Sequence, residues 1–96
     1  MSGVTIPVAL TGSDQAVHLG AAQLAGYTLR ETGGVAAATA RIFDHPSAAS
    51  GTLLAVVALP AGGSADVMYC RPVRASAGIY VDVGGTGALE GSVRIA

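Results

Sequence analysis

Gly51-Thr-Leu-Leu-Ala-Val-Val-Ala-Leu-Pro60 carries no charge and, beyond Thr52, no polar side chain. Leu53, Leu54, Val56, Val57 and Leu59 leave no polar stripe, so neither a period of 2 nor one of 3.6 shows. Gly51 opens the run and Pro60-Ala-Gly-Gly closes it, leaving about eight residues, a strand's length and short for a helix. A strand apolar on both sides must be covered on both. The run is therefore expected to be a central strand, covered by a partner layer or a partner subunit.

Upstream, Val4 to Leu10 alternates apolar and small residues and reads as a first strand. Pro7 cannot donate a ladder hydrogen bond, which places residues 1–10 at an edge or in an extended arm. Ala16 to Leu19 reads as a short strand. Gln23 to Thr32 follows, with Ala25, Tyr27 and Leu29 on one face and Thr28 and Arg30 on the other. Gly33-Gly34 fits a hairpin turn. In Val35 to Asp44 the alanines favour helix by propensity. The alternation of Ala38, Ala40 and Ile42 with Thr39, Arg41 and Phe43 favours strand, and strand is the reading adopted. His45 to Gly51 is a loop.

Downstream, Ala61 to Ser64 is a tight turn and Ala65 to Cys70 a strand, with Val67 and Tyr69 facing one way and Met68 and Cys70 the other. Arg71 to Gly78 reads as an irregular connection. Ile79 to Val83 alternates most cleanly, and Leu89 to Ile95 closes the chain with Leu89, Val93 and Ile95 inward. Seven or eight short strands broken by Gly and Pro turns predict an all-β chain, a single antiparallel β-sandwich over 1–96, jelly-roll-like or immunoglobulin-like, or a small barrel. The pattern does not give the strand order.

The chain's 96 residues make one small domain; 51% are hydrophobic but only 4% aromatic, so the core is thin, built of Ala, Val and Leu. A domain with this margin gains from a partner surface or symmetric copies. The net charge of −1, with five Arg and no Lys, offers no basic stripe for nucleic acid. The single cysteine, Cys70, excludes an intramolecular disulfide. No apolar segment approaches the ~20 residues of a membrane helix, and no basic residue precedes Arg30, so neither a membrane span nor a signal peptide is read here. The expectation is a soluble protein made in a cytosol.

Reactive constellations are thin. Asp44-His45-Pro46 is the nearest to a catalytic or metal fragment, but adjacent residues of an extended chain point apart, and a solvated loop is the simpler reading. His18 reads as an edge residue. Cys70 lacks a base and a nucleophile signature and reads as a small core or interface residue. Gly84-Gly-Thr-Gly87 lacks the Lys-Ser/Thr ending of a phosphate loop. Asp82 and Glu90 are outward carboxylates on what the pattern makes neighbouring strands. Without a Trp platform they read as solvated residues with Arg94 or Arg74 as partners, not as a glycosidase pair. No enzyme, cofactor or metal is predicted.

The segments GYTLRETGGVAAATARIFDH (26–45), SGTLLAVVAL (50–59) and GIYVDVGGTGALEGSVRIA (78–96) resemble the small β-sandwich virion structural proteins of tailed bacteriophages that infect GC-rich actinobacteria. The absence of Lys and Asn beside abundant Ala, Gly, Val and Arg agrees with a GC-rich source. The resemblance implies a capsid decoration protein. It would bind the assembled lattice of major capsid protein on the virion surface, as a homo-oligomer such as a trimer, after synthesis in the host cytoplasm. The alternatives are a minor tail or baseplate module and a host-surface carbohydrate-binding module. Contact residues are expected in the arm, at Val4, Ile6 and Pro7, and at Met68, Tyr69 and Tyr80, since exposed Met and aromatic side chains favour interfaces.

Overall fold

Period-2 alternation is realised in eight strands: β1 Ile6–Ala9, β2 Gln15–Leu19, β3 Ala22–Glu31, β4 Ala38–Asp44, β5 Thr52–Leu59, β6 Ser64–Ala75, β7 Gly78–Gly85 and β8 Leu89–Ile95. The structure, a computed structural model, describes residues 5–96. Val4 and the head of the expected arm lie outside the described residues.

Every strand of the second half pairs antiparallel with one of the first half, in reverse order: β5 with β4, β6 with β3, β7 with β2, β8 with β1. The chain is thus one long ladder, doubled back at the loop between β4 and β5 and then rolled up. Two further pairings, β3 with β8 and β4 with β7, close the roll. The result is two four-stranded sheets, β1-β8-β3-β6 (sheet A) and β2-β7-β4-β5 (sheet B). This β-sandwich has the strand order of a jelly roll rather than that of an immunoglobulin domain.

The two sheets meet over a core of Leu24, Tyr27, Leu29, Ala38, Ala40, Ile42, Val57, Leu59, Ala75, Ile79, Val81, Leu89, Val93 and Ile95. The inward and outward faces of β4, β7 and β8 are those that alternation predicts. The alanines at 38 and 40 are fully enclosed opposite Leu59 and Val57. Tertiary packing overrides their helical propensity here.

Three expectations need correction. First, β5 is not central but the edge strand of sheet B. Val57 and Leu59 face the core, while Leu53 and Val56 are 45% and 56% exposed. Its lack of a polar stripe comes from an apolar outer face left uncovered within the monomer. Second, Arg71 to Ala75 is not an irregular connection but the second half of β6. The register jumps from Gly26↔Met68 to Leu24↔Val73, so Tyr69 to Pro72 are displaced from the ladder. A proline is tolerated there because β6 is an edge and the ladder is already broken. Third, Asp82 and Glu90 lie on different sheets, and their partners are Arg41 and Arg30. Pro7 sits in an edge strand, as its chemistry requires.

Leu54 occupies the bulge of β5, where Ile42 pairs with Ala55 and Phe43 with Leu53. It is half-buried against the core. Leu54→Ala is expected to cost about 1–2 kcal/mol, below the ~2–5 kcal/mol of a fully enclosed leucine. Urea unfolding of the monomer measures it, and a loss in the upper range would place Leu54 wholly inside.

Candidate interaction face

The register sets the outer face of sheet B in three rows. Ala16, Tyr80, Phe43 and Leu53 form the first; Asp82, Arg41 and Val56 the second; Gly84, Thr39 and Ala58 the third. Only one pair of charges interrupts this surface. Arg41 donates to Asp82 Oδ2 through Nε at 3.0 Å and Nη2 at 2.6 Å. The same guanidinium lies 5.2 Å from the centroid of the Phe43 ring, a cation–π contact that shields an outward aromatic side chain. Phe43 is accordingly buried although it does not face the core. The face is apolar, electrically balanced, and bordered by the free edge of β5.

The outer face of sheet A differs. Its rows are Ser64, Arg30 and Glu90; Asp66, Thr28, Ser92 and Ala9; and Met68, Gly26, Arg94 and Pro7. Arg30 pairs with Glu90. Thr28 donates to Asp66 at 2.9 Å and accepts from Arg94 at 2.7 Å. An open groove of ≈ 570 Å³ runs along this face, lined among others by Thr28, Arg30, Ser64, Asp66 and Glu90.

The residues expected as contacts do not form one patch. Ile6 and Pro7 lie on β1, at one edge of sheet A, and are exposed. Met68 is exposed on β6, at the opposite edge, in the same row as Pro7. Tyr69 turns inward: its ring meets Tyr27 edge-on at 6.3 Å, and burial pushes its phenol pKa up. The strand's alternation sends Tyr69 to the core side whenever Met68 faces out. Of the expected contacts among the described residues, only Tyr80 lies on the apolar face of sheet B. The signal for that face was the unstriped run at 51–60, whose uncovered side belongs to it.

All six carboxylates of the chain are engaged by its own groups. Besides the three in ion pairs, Asp14 accepts from the Val83 amide at 2.8 Å. Asp44 accepts from the amides of Ser76 and Ala77, at 3.0 and 2.8 Å, and more distantly from Gly78; these bonds hold its pKa below the usual carboxylate value. Nδ1 of His45 accepts from the amides of Ser47 and Ala48, at 3.1 and 3.0 Å, so its ring proton sits on Nε2. Asp44 and His45 thus tie two different loops and do not converge. His18 Nδ1 lies 3.2 Å from the Gly20 carbonyl. Cys70 is exposed in the displaced part of β6, not in the core. Among the described residues no three His, Cys, Asp or Glu side chains are grouped to hold a metal ion.

Glu31, absent from the sequence-based expectations, is the one buried charge among the described residues, 1% exposed at the end of β3. Its Oε1 accepts from the amides of Gly34 at 2.7 Å and Gly62 at 2.8 Å. Oε2 accepts from those of Gly33 at 2.8 Å and Ala88 at 2.9 Å. Gly34 and Gly62 turn their amides inward at positive φ, 75° and 71°. Three loops therefore close on one carboxylate. The amides of Gly62 and Gly34 foremost, then Gly33 and Ala88, outweigh burial and lower its pKa to about 2.

No family model, curated protein or solved structure matches this chain.

Proposed function

We propose that this protein is a binding subunit of a bacteriophage virion, a capsid decoration protein that docks on assembled major capsid protein through the outer face of sheet B. The observation that carries the reading is the contrast between the two outer faces. One pairs Arg30 with Glu90 and Arg94 with Asp66, carries the exposed Arg74 and suits solvent, whereas the other presents Leu53, Val56, Ala58 and Tyr80 around a single neutralised ion pair. Exposed apolar surface of this kind marks a contact site. The resemblance in the three segments named above supplies the kind of partner, and the jelly roll, a fold that also builds capsids, is compatible with it. Engagement of the chain's carboxylates in its own structure supports a scaffolding role rather than a catalytic one.

The test mixes purified protein with undecorated capsids and counts bound copies per particle. Stoichiometric binding to assembled capsids, reduced by roughly ten-fold or more in affinity for Tyr80→Glu, is expected, since a buried unpaired charge at a contact costs several kcal/mol. Binding to unassembled capsid protein alone, or no binding, would overturn the reading. The groove on sheet A, with Arg30, Asp66 and Glu90 along it, favours a second reading, a carbohydrate-binding module. A sugar-dependent rise in Tm that Arg30→Ala abolishes would support it.

A further inference from the structure

We infer that β5 is the seam of a two-fold symmetric dimer, in which the β5 strands of two copies pair antiparallel and join their B sheets into one sheet of eight strands. The sandwich has four edge strands, and three carry something that obstructs a further strand. β1 has Pro7 among its four residues. β2 has five residues and a register shift between Ala16 and His18. β6 is broken over Tyr69 to Pro72 and carries Asp66, Arg71 and Arg74. Over Ala55 to Leu59, β5 has no proline, no charge and no irregularity, since its bulge lies at Leu54. Sheets that stay monomeric protect such edges.

A second copy of the chain fits this edge for three reasons. An uncharged strand laid against itself brings no like charges together. The regular run is symmetric in facing: centred on Val57, it sets Ala55 opposite Leu59 and Val56 opposite Ala58, so core-side residues meet core-side residues. The operator that generates an antiparallel self-pairing is a two-fold axis; a trimer would need a second, different surface. The contact is small. The five paired residues at ~3.4 Å each, across the molecule's 18 Å shortest dimension, give roughly 600 Å² over both copies. That is below the roughly 1,000 Å² of a stable specific interface, so the dimer is weak and fills only toward sub-millimolar protein. The pairing doubles the apolar face of sheet B, but it does not rest on the virion reading and stands or falls apart from it.

Sedimentation equilibrium of the purified full chain, from low micromolar to sub-millimolar concentration, tests it. A reversible monomer–dimer equilibrium is expected. Val56 is exposed in the monomer, so Val56→Lys and Val56→Glu keep the β circular dichroism spectrum. Each weakens the dimer by roughly five-fold, because the two substituted side chains lie diagonally across the seam with like charge. Mixing the two variants restores a dimer of one copy of each. Ala9→Lys, on β1, leaves the equilibrium unchanged. A wild-type protein that is monomeric throughout, a trimer or open polymer, or a dimer indifferent to both Val56 variants would overturn the inference. If one variant fails to fold, the other's dissociation constant decides.

Discussion

Val57→Asp is expected to leave no stable folded monomer at neutral pH. Val57 is 6% exposed and faces the core from an edge strand, opposite Ala40. A carboxylate there loses water and gains no donor, because the neighbouring core groups are apolar. An uncompensated buried charge costs ~3–5 kcal/mol, a large share of the roughly 5–15 kcal/mol that holds a domain together. A core with so few aromatic side chains sits toward the low end of that range. The charge can be separated from the lost volume in two ways. Val57→Thr keeps the shape and adds only a hydroxyl, so it is milder. The introduced carboxyl, if buried, has a raised pKa in the folded state. The unfolded state then binds fewer protons than the folded one above the unfolded pKa, so stability falls as pH rises. The variant should therefore melt higher at pH 4 than at pH 7. A variant with wild-type Tm at both pH values would show that the open side of the sandwich admits water to position 57.

How far this architecture is legible in the chain depends on the range of the forces involved. Alternation is local, so Ile79, Val81 and Val83 could be assigned to the core and Tyr80 and Asp82 to the outside from spacing alone. Strand order is not local: β1 pairs with β8, some ninety residues away, and no periodicity carries that pairing. The error over β5 has the same root. A run apolar on both faces states that both want cover, but not whether the cover is a strand of the same chain or another molecule. The break in β6 was missed because Arg71-Pro72 resembles the end of a strand, whereas an edge strand can carry a displaced stretch and resume at Val73. Glu31 was missed because its meaning lies in three loops distant in sequence. The local hint was an acidic residue two positions before Gly33-Gly34, where it can turn back onto their amides.

Glu31→Gln is expected to lower Tm by more than the loss of any of the three surface ion pairs, and to do so in a pH-dependent way. The glutamine has the same shape, but its amide group is a donor and would face two of the four amides that now donate to the carboxylate. At least two buried donors are left unsatisfied, and the loops after β3, β5 and β7 lose their common tie. Glu31→Asp is no substitute, since one methylene less cannot reach amides in three loops at once. The sign with pH follows from the direction of the shift. The folded-state pKa is about 2, below the carboxyl's ordinary value of 4.5. The carboxylate's contribution is thus fully present above about pH 4.5 and is lost as pH falls through about 2. Other carboxylates with lowered pKa, such as Asp44, titrate in wild type and variant alike and cancel in the difference. The gap in Tm between wild type and Glu31→Gln should therefore be constant from pH 7 down to about 4.5 and then narrow toward pH 2. Circular dichroism melts across that range measure it. A gap that is absent at pH 7, or unchanged at pH 2, would mean that the three loops are held by their own backbone bonds, such as Thr32 N–H to the Ala88 carbonyl at 2.9 Å, and not by this carboxylate.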